Sequence, residues 1–205
     1  MARPNRQAER RAAILDAARR VAVREGAAGP TLRAVASEAG MESSAVLYYF
    51  SGLGQIVREL VFAATDRFVA TIREAVDAAS SPWERLSAAI TAGVTGGLDG
   101  DDSRILYEFW STGLRDDTMN DADHALDRLQ VAIYRDIIDG GVASGDFRPR
   151  IDVDGLGWAL VALEDGLVMD ILAGTKTGDE VVALIRSVAR SLLDVAPADP
   201  PPPVE

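Results

Sequence analysis

Residues 40–50 (GMESSAVLYYF) place hydrogen-bonding side chains one helical turn before aromatic ones. Ser43 and Ser44 carry hydroxyl groups, which both donate and accept hydrogen bonds. Tyr48 and Tyr49 each offer a ring and a phenolic hydroxyl, which can lie on a sugar edge and donate to a phosphate oxygen. The pattern predicts a short surface helix that can contact a polyanion. The alternative is packing against a neighbouring helix, and we expect at least one of the two tyrosines to be partly structural.

The charge of the chain is unevenly distributed. The 205 residues carry a formal net charge of −11, but residues 1–50 hold eight arginines and five acids, a net charge of +3. The remainder carries −14. Because binding to phosphates depends on the local patch rather than on the average, the first 50 residues are the candidate surface for nucleic acid. Clustered arginines can equally form a solvated helix face, and charge alone does not separate the two interpretations.

The composition of the chain limits the class of protein that it can be. The chain has 48% hydrophobic residues and no cysteine, so we expect a globular fold without disulfides or thiolate metal ligands. No apolar run reaches the length of a membrane span, and no apolar segment of signal-peptide type follows the basic start. We therefore expect a cytoplasmic protein that neither spans nor binds a membrane.

Hydrophobic periodicity predicts helices along almost the whole chain. Glycine and proline clusters separate them, and Thr31 is a candidate N-cap for the second helix. The predicted helices are 7–25, 32–39, about 43–49, 55–79, 83–97, 103–113, one from Asp121 or Asp123 to about 140, 153–173 and 179–196. The predicted fold is all-α. It has a three-helix head with a helix-turn-helix (1–53), a six-helix body (54–196) and a disordered proline-rich tail (197–205).

Two short helices joined by a tight turn at Gly40 form a helix-turn-helix, whose second helix can enter a major groove. The run AAILDAARRVAVREGAAGPTLRAVASEAGMESSAVLYYF closely resembles the N-terminal domain of TetR-type transcriptional regulators. The matching pattern is I-L-x-A-A, a glycine, T-x-R-x-V-A-x-x-A-G and a short helix that ends in aromatic-x-Phe. The resemblance is specific over roughly residues 9–60, and the nine-helix plan extends it to the whole chain.

The resemblance implies a ligand-responsive, homodimeric regulator that binds double-stranded DNA at an inverted repeat, usually as a repressor, without a cofactor or metal. A small-molecule effector of unknown identity would release the DNA. The resemblance assigns DNA contacts to Thr31, Arg33, Ser43, Ser44, Ala45, Leu47 and Tyr49, with Tyr48 close by. We expect Thr31, Arg33 and Tyr49 at phosphates. Ser43, Ser44 and Ala45 are better placed for bases.

Two residues depart from the expected pattern. Many members of the family carry a phosphate-binding lysine where this chain has Leu53, so we expect one phosphate contact fewer. Arg3, Arg6, Arg10 and Arg11, on a flexible arm, could supply compensating charge. Glu42 adds an acid beside the recognition helix, where it can favour the helix N-terminus or accept from a cytosine amine.

The eighth predicted helix carries apolar residues on more than one side, as a helix buried on more than one side does. The apolar residues of the ninth follow a heptad-like spacing. They are either interior to a monomer or packed against a symmetry mate in a four-helix bundle, and we favour the dimer. The predicted dimer residues are Leu160, Leu167, Ile171, Val181, Ile185, Val188 and Leu192.

The C-terminal half, with DFRPRIDVDGLGWALVALEDGL, is similar to the betaine-pathway repressor subgroup. The candidate ligand-lining residues are Phe62, Leu106, Phe109, Trp110, Tyr134, Trp158 and Glu164, although each could be plain core. Glu164 is the most informative of them, because a carboxylate in an apolar helix needs a partner. That partner could be a cationic ligand with aromatic neighbours, an arginine or solvent.

The sequence gives little support for an enzyme. The single histidine, His124, lies in an acidic stretch, and no phosphate-binding loop or metal-ligand spacing occurs. The leading prediction is a DNA-binding regulator that is not an enzyme. The alternatives are an all-α small-molecule-binding protein without DNA binding and a helical hydrolase.

Overall fold

A computed structural model describes residues 3–94, 101–113 and 117–195, and all regular structure within these ranges is helical. The helices are α1 (Arg3–Glu25), α2 (Leu32–Glu38), α3 (Ser43–Tyr49), α4 (Leu53–Asp77), α5 (Pro82–Val94), α6 (Asp101–Gly113), α7 (Asp117–Ser144), α8 (Val153–Leu172) and α9 (Gly178–Leu193). The predicted all-α class is confirmed. The predicted tail, 197–205, lies outside the described residues.

Local capping explains where several helices begin and end. The side chain of Thr31 accepts a hydrogen bond from the amide of Ala34, as predicted for the N-cap of α2. Gly40 follows this helix with a φ of 65°, a conformation that glycine adopts without steric cost. Thr177 and Glu180 form a reciprocal capping box at the start of α9. These caps determine where α2 begins and ends and where α9 begins.

Several helices begin earlier than the sequence predicted, and two of them do so by about one turn. The seventh helix begins at Asp117 rather than at Asp121 or Asp123. The first helix begins at Arg3 rather than at Gln7, although no acid lies in its first turn. Arg6, Arg10 and Arg11 therefore lie on α1, and the predicted flexible arm is wrong for them.

The chain forms two compact units. The first contains the described residues up to Thr71, all of α6 and the start of α7 as far as Leu126. The second contains the end of α4 from Ile72, α5, the rest of α7, α8 and α9. The predicted division at residues 53 and 54 is a division by function, and it stays a prediction.

Each unit has its own apolar interior. In the first unit Ile14, Val35, Val46, Phe50 and Ile105 are at most 2% exposed and bring α1, α2, α3 and α6 together. In the second unit the fully buried large side chains are Leu86, Ile90, Ile138, Phe147, Leu156, Leu160, Ile185 and Leu193. Each such side chain contributes about 1.5–3 kcal/mol by leaving water. Over the part of the chain that the structure describes, no helix has both the length and the apolar character needed to cross a membrane.

Candidate functional site

Helix α3 is anchored on one side and open on the other. Val46 is fully buried and Phe50 is 2% exposed, so these two side chains hold the helix to the interior of the first unit. Leu47 is 48% exposed and Tyr48 is 79% exposed. Ser44 is exposed as well. An anchored helix with an open outer face is the arrangement that lets side chains reach base edges in a major groove.

The remaining predicted DNA contacts fall into two groups. Thr31 and Arg33 are exposed, whereas Ser43, Ala45 and Tyr49 are half-buried. The Oγ1 atom of Thr31 accepts from the amide of Ala34 at 3.1 Å, which leaves its hydroxyl proton free to donate outward. The guanidinium of Arg33 forms no ion pair within the described ranges, so its charge is available to a ligand.

Tyr48 and Tyr49 have different environments. Their rings pack edge to face, with centroids 5.1 Å apart and planes at 87°. Tyr49 packs against the interior of the first unit and its carbonyl accepts a hydrogen bond from Arg11, whereas Tyr48 projects outward. Tyr49 therefore orders the end of α3, and Tyr48 is the more exposed of the two rings.

Arg11 is a structural residue that sequence reasoning misplaced. Besides its hydrogen bond to the carbonyl of Tyr49, its Nη2 atom lies 2.5 Å from Oε1 of Glu59. Its guanidinium also lies 4.1 Å from the ring centroid of Phe50. Arg11 thus joins α1 to the end of α3 and to α4. Glu59 is 48 residues away in the chain, so the sequence around Arg11 does not predict this contact.

Three further arginines of α1 are paired with carboxylates. Arg20 Nε lies 2.7 Å from Glu38 Oε1, and Arg24 Nη1 lies 3.3 Å from Glu38 Oε2. The hydrogen bond from Arg20 holds the pKa of Glu38 below its usual range. Arg19 contacts Asp101 at 3.0 Å and Asp102 at 3.5 Å in the first turn of α6. The acids that pair with Arg19 lie outside the first 50 residues, so the formal charge of the head overstates its free positive charge.

Two acids of α6 connect this helix to other parts of the first unit. Asp102 accepts from Arg67 of α4 at 2.6 and 2.8 Å and also contacts Arg19 of α1. Glu108 Oε2 accepts from the amide of Ala27 at 3.2 Å, in the loop between α1 and α2. Both carboxylates therefore connect α6 to the helices that hold α3.

The predicted ligand-lining residues are divided between the two units. In the first unit Phe109 is 3% exposed and Leu106 packs beside it, so both belong to the interior, whereas Phe62 and Trp110 are each 41% exposed. In the second unit Tyr134 and Glu164 are buried, and Trp158 is 47% exposed. The structure shows direct contact between Tyr134 and Glu164 among these seven residues.

Glu164 is a buried acid with polar neighbours and no described cation beside it. It is 1% exposed, and its Oε1 atom accepts a hydrogen bond from the hydroxyl of Tyr134. Gln130 Nε2 donates to Oε2 at 3.4 Å. A Cβ atom at Gly93 of α5 would lie 2.7 Å from Oε1, so only glycine leaves room for the carboxyl group. Gln130 and Gly93 were missed from the sequence, because their role depends on packing between α5, α7 and α8.

The surroundings of Glu164 favour its neutral form. Burial raises the pKa of Glu164 well above its usual range, and the charge of Asp165 acts in the same direction. The hydrogen bond from Tyr134 opposes this shift but does not outweigh burial. Burial and the neighbouring Glu164 likewise raise the pKa of Tyr134. A carboxyl group kept neutral in this way can ionise when a cation arrives.

The predicted dimer residues need revision. Leu160, Val181 and Ile185 are fully buried within the single chain, so they have no surface left for a partner. Leu167, Ile171, Val188 and Leu192 are half-buried. The large apolar side chains that α8 and α9 expose are Trp158, Met169, Leu172 and Leu184, at 37–49%. A heptad spacing alone did not distinguish the inner face of α9 from its outer face.

The described residues contain no group of three or more potential metal ligands close together. His124 is exposed, as expected for a surface histidine.

Comparison with known proteins identifies the family. A model of the tetR family of bacterial regulatory proteins matches residues 14–60. A second model, described as the C-terminal part of BetI-type transcriptional repressors, matches residues 82–194, more than half of the chain. The chain belongs to the tetR family, in its BetI-type branch. It is a ligand-responsive, DNA-binding repressor of transcription, and its family is not one of enzymes.

Individual relatives are more distant. The repressor is 28% identical over 151 residues to the transcriptional repressor KstR2 of Mycolicibacterium smegmatis, which is 74% of each chain. A regulator from Saccharomonospora viridis, solved in complex with choline, is 26% identical, with a TM-score of 0.78 over 93% of this chain and 100% of that one. A regulator from Haloarcula marismortui shares the fold, with a TM-score of 0.78 at 21% identity over 91% and 97% of the two chains.

Proposed function

We propose that the repressor works in the cytoplasm as a homodimer that binds an inverted repeat in double-stranded DNA through α3 and releases it when a small organic cation binds beside Glu164. The observation that carries the DNA part is the orientation of α3. Val46 and Phe50 face the interior, while Ser44, Leu47 and Tyr48 face outward. This is the orientation that a recognition helix requires.

Each residue of the helix-turn-helix that the resemblance assigns to DNA has a role in this proposal. Ser43, Ser44 and Ala45 lie at the N-terminus of α3, where small side chains let the helix approach base edges closely. Leu47 offers an apolar contact for a thymine methyl group. Thr31, Arg33 and Tyr49 bind phosphates and so fix the position of α3 in the groove.

The dimer surface is proposed on the outer faces of α8 and α9. Trp158, Met169 and Leu172 repeat along one face of α8 at helical spacing, and each is more than a third exposed. Leu184 of α9 is 44% exposed and has small neighbours on the same face, Ala183 and Ser187. Exposed apolar residues at this density mark a surface that a partner covers. A two-fold dimer would present two copies of α3 to two half-sites.

The effector site is proposed beside Glu164 in the second unit. A buried carboxyl group without a cation is costly when ionised, so a ligand cation would supply the missing charge. The S. viridis relative in complex with choline supports a ligand of this class. Binding would displace the proton of Glu164 and, through the dimer, change the spacing of the two recognition helices.

Selection of bound sequences from a random DNA pool, at about 150 mM salt, tests the DNA part. We expect an inverted repeat whose half-sites lie about one helical turn or more apart. Arg33→Gln should weaken binding without changing the selected sequence, and Arg24→Gln, a matched change at a paired arginine, should leave binding unchanged. A folded dimer that enriches no sequence would contradict the proposal and favour a ligand-binding protein that does not read DNA.

Sedimentation tests the dimer surface. The double variant Leu172→Asp/Leu184→Asp should sediment as a monomer, because two carboxylates per chain would be buried without partners. Leu129→Asp is the matched control, since Leu129 of α7 is 38% exposed but lies on neither of the two helices. Dissociation of the control, or an intact dimer in the double variant, would place the interface elsewhere.

Calorimetry with choline tests the effector site. We expect the wild-type repressor to bind choline with release of about one proton near neutral pH, because the pKa of Glu164 is raised in the free protein. Affinity should rise with pH, and choline should weaken operator binding. Glu164→Gln, which has the same shape and no charge to gain, should lose both effects. Equal choline affinity in this variant would exclude Glu164 as the cation partner.

A further inference from the structure

An open groove of about 570 Å³ lies between the first turns of α1 and the end of α3. It is lined from α1 by Arg6, Gln7, Glu9, Arg10 and Ala13, and from α3 by Tyr48 and Tyr49. All of the α1 residues except Gln7 follow the spacing of a single helix face, with Arg6 and Arg10 one turn apart. Ala13 adds little bulk, so the groove stays open between the arginines and the rings.

The two arginines of the groove differ from the other arginines of α1. Arg6 and Arg10 are exposed and form no ion pair within residues 3–94, 101–113 and 117–195. Farther along the helix, Arg11, Arg19, Arg20 and Arg24 all contact carboxylates. Among the α1 arginines whose side chains the structure describes, the free positive charge is therefore concentrated at the groove.

The position of Arg6 on the helix does not serve the stability of α1. The N-terminus of a helix is its positive end, where acids stabilise it and cations weaken it. The first turn of α1 contains no acid, and Arg3 and Arg6 lie in its first four residues. Two arginines and the hydroxyl of Tyr48 together form surroundings that suit an anion. Glu9 is the one acid that lines the groove and opposes this charge.

We propose that this groove binds a phosphate of the DNA backbone beside the half-site that α3 reads, with Arg6 and Arg10 as its charged contacts and the hydroxyl of Tyr48 as a third donor. The proposal rests on the proposed DNA reading by α3. It makes α1 a third helix of the DNA interface, beside α2 and α3. Tyr48 belongs both to α3 and to the groove wall, so a phosphate in the groove lies directly beside the proposed recognition surface.

The groove also supplies charge that the start of α4 lacks. Leu53, the first residue of α4, is half-buried and apolar, so it offers no charge to a phosphate. Each arginine that neutralises a phosphate releases condensed counterions, and this release makes affinity depend on salt. Removal of Arg6 and Arg10 should therefore change the salt dependence of binding rather than the sequence that is read.

The test measures fluorescence anisotropy on the selected operator from about 50 to 250 mM salt. For Arg6→Gln/Arg10→Gln we expect a slope of log affinity against log salt that is shallower by about one to two units. Affinity at 150 mM should fall by roughly tenfold, with the same preferred sequence. Arg24→Gln is the matched control, since Arg24 is on the same helix but paired with Glu25 and Glu38, and it should keep the wild-type slope.

Two more variants sharpen the result. Glu9→Gln removes the opposing charge, so operator affinity should increase. Tyr48→Phe removes a neutral donor, so affinity should decrease while the slope is kept. An unchanged slope in the double arginine variant, with wild-type operator binding and an unchanged melting temperature, would overturn the groove proposal and leave the proposed function standing. A wild-type protein that binds no duplex would overturn both.

Discussion

Substitution of Glu164 by glutamine should alter how the stability of the repressor depends on pH. Burial raises the pKa of Glu164 well above its usual range. Between the pKa of an unfolded glutamate, about 4.3, and the raised pKa of the folded state, the native protein keeps a proton that the unfolded chain has lost. The contribution of Glu164 to stability is therefore fully present below about pH 4.3 and is lost as pH rises towards the folded pKa.

The size of the effect follows from proton linkage. One proton bound in the native state but not in the unfolded state changes the free energy of unfolding by about 1.4 kcal/mol per pH unit. From pH 5 to pH 7 a carboxyl group that stays protonated in the native state would thus lose about 2.7 kcal/mol. For a chain of this length, that loss lowers the melting temperature by about 5–10 °C.

The measurement is the melting temperature of wild type and Glu164→Gln between pH 5 and pH 8, at one protomer concentration and without choline. Other acids have lowered pKa values, such as Glu180, whose carboxylate accepts from the amide of Thr177, and they act in the opposite direction. The difference between the two proteins isolates Glu164, because the amide oxygen of glutamine can still accept from Tyr134. As pH rises, the melting temperature of the variant should increase relative to that of wild type.

Glu180→Gln is a control of opposite sign. The stability lost through this substitution should be fully present above about pH 4.3. It should shrink as pH falls through the lowered pKa of Glu180. A Glu164→Gln difference that stays constant from pH 5 to pH 8 would refute the reasoning, because it would show that Glu164 is equally ionised in the folded and unfolded chains.

Three further predictions concern single side chains. Gly93→Ala should destabilise the second unit by about 1–3 kcal/mol in thermal unfolding, since its Cβ would crowd Glu164 at 2.7 Å, and Glu164→Ala in the same chain should recover part of the loss. If Glu164→Ala recovered none of the lost stability, the strain would not come from contact with Glu164. Arg11→Ala should cost about 1–2 kcal/mol in the same assay through its lost contacts with Tyr49, Glu59 and the ring of Phe50, and an unchanged melting temperature would contradict its structural role. Leu53→Lys should tighten operator binding and steepen its salt slope by about one unit, and an unchanged slope would mean that no phosphate lies near the start of α4.

The helical plan could be predicted because its signals are local. Thr31 caps α2 and Gly40 ends it, and both effects depend on residues within one turn of the chain. The burial of Val46 and Phe50 follows from their spacing on a single short helix. The early start of α1 at Arg3 could not be predicted in this way, because its first turn has no acid and carries arginines that disfavour it.

The environment of individual charges could not be predicted. Arg11 and Arg10 are adjacent in sequence, yet Arg11 is held by Glu59 and the carbonyl of Tyr49, and Arg10 lines an open groove. The contacts that separate them come from α3 and α4, about 40–50 residues away. The inward direction of Val181 and Ile185 has the same origin, since a stripe of apolar residues shows that a face is buried but not what buries it.

The pairing of arginines within the head has a consequence for how the repressor finds its operator in a genome. Arg19, Arg20 and Arg24 are already neutralised by carboxylates, and the chain beyond residue 50 carries −14. Attraction to random duplex comes almost entirely from contacts between cations and phosphates, so dwell times on random sequence are short. Fewer molecules are then sequestered by the large excess of competing genomic sites. A small number of copies per cell can keep an operator occupied, and the same copies respond quickly when the effector level changes.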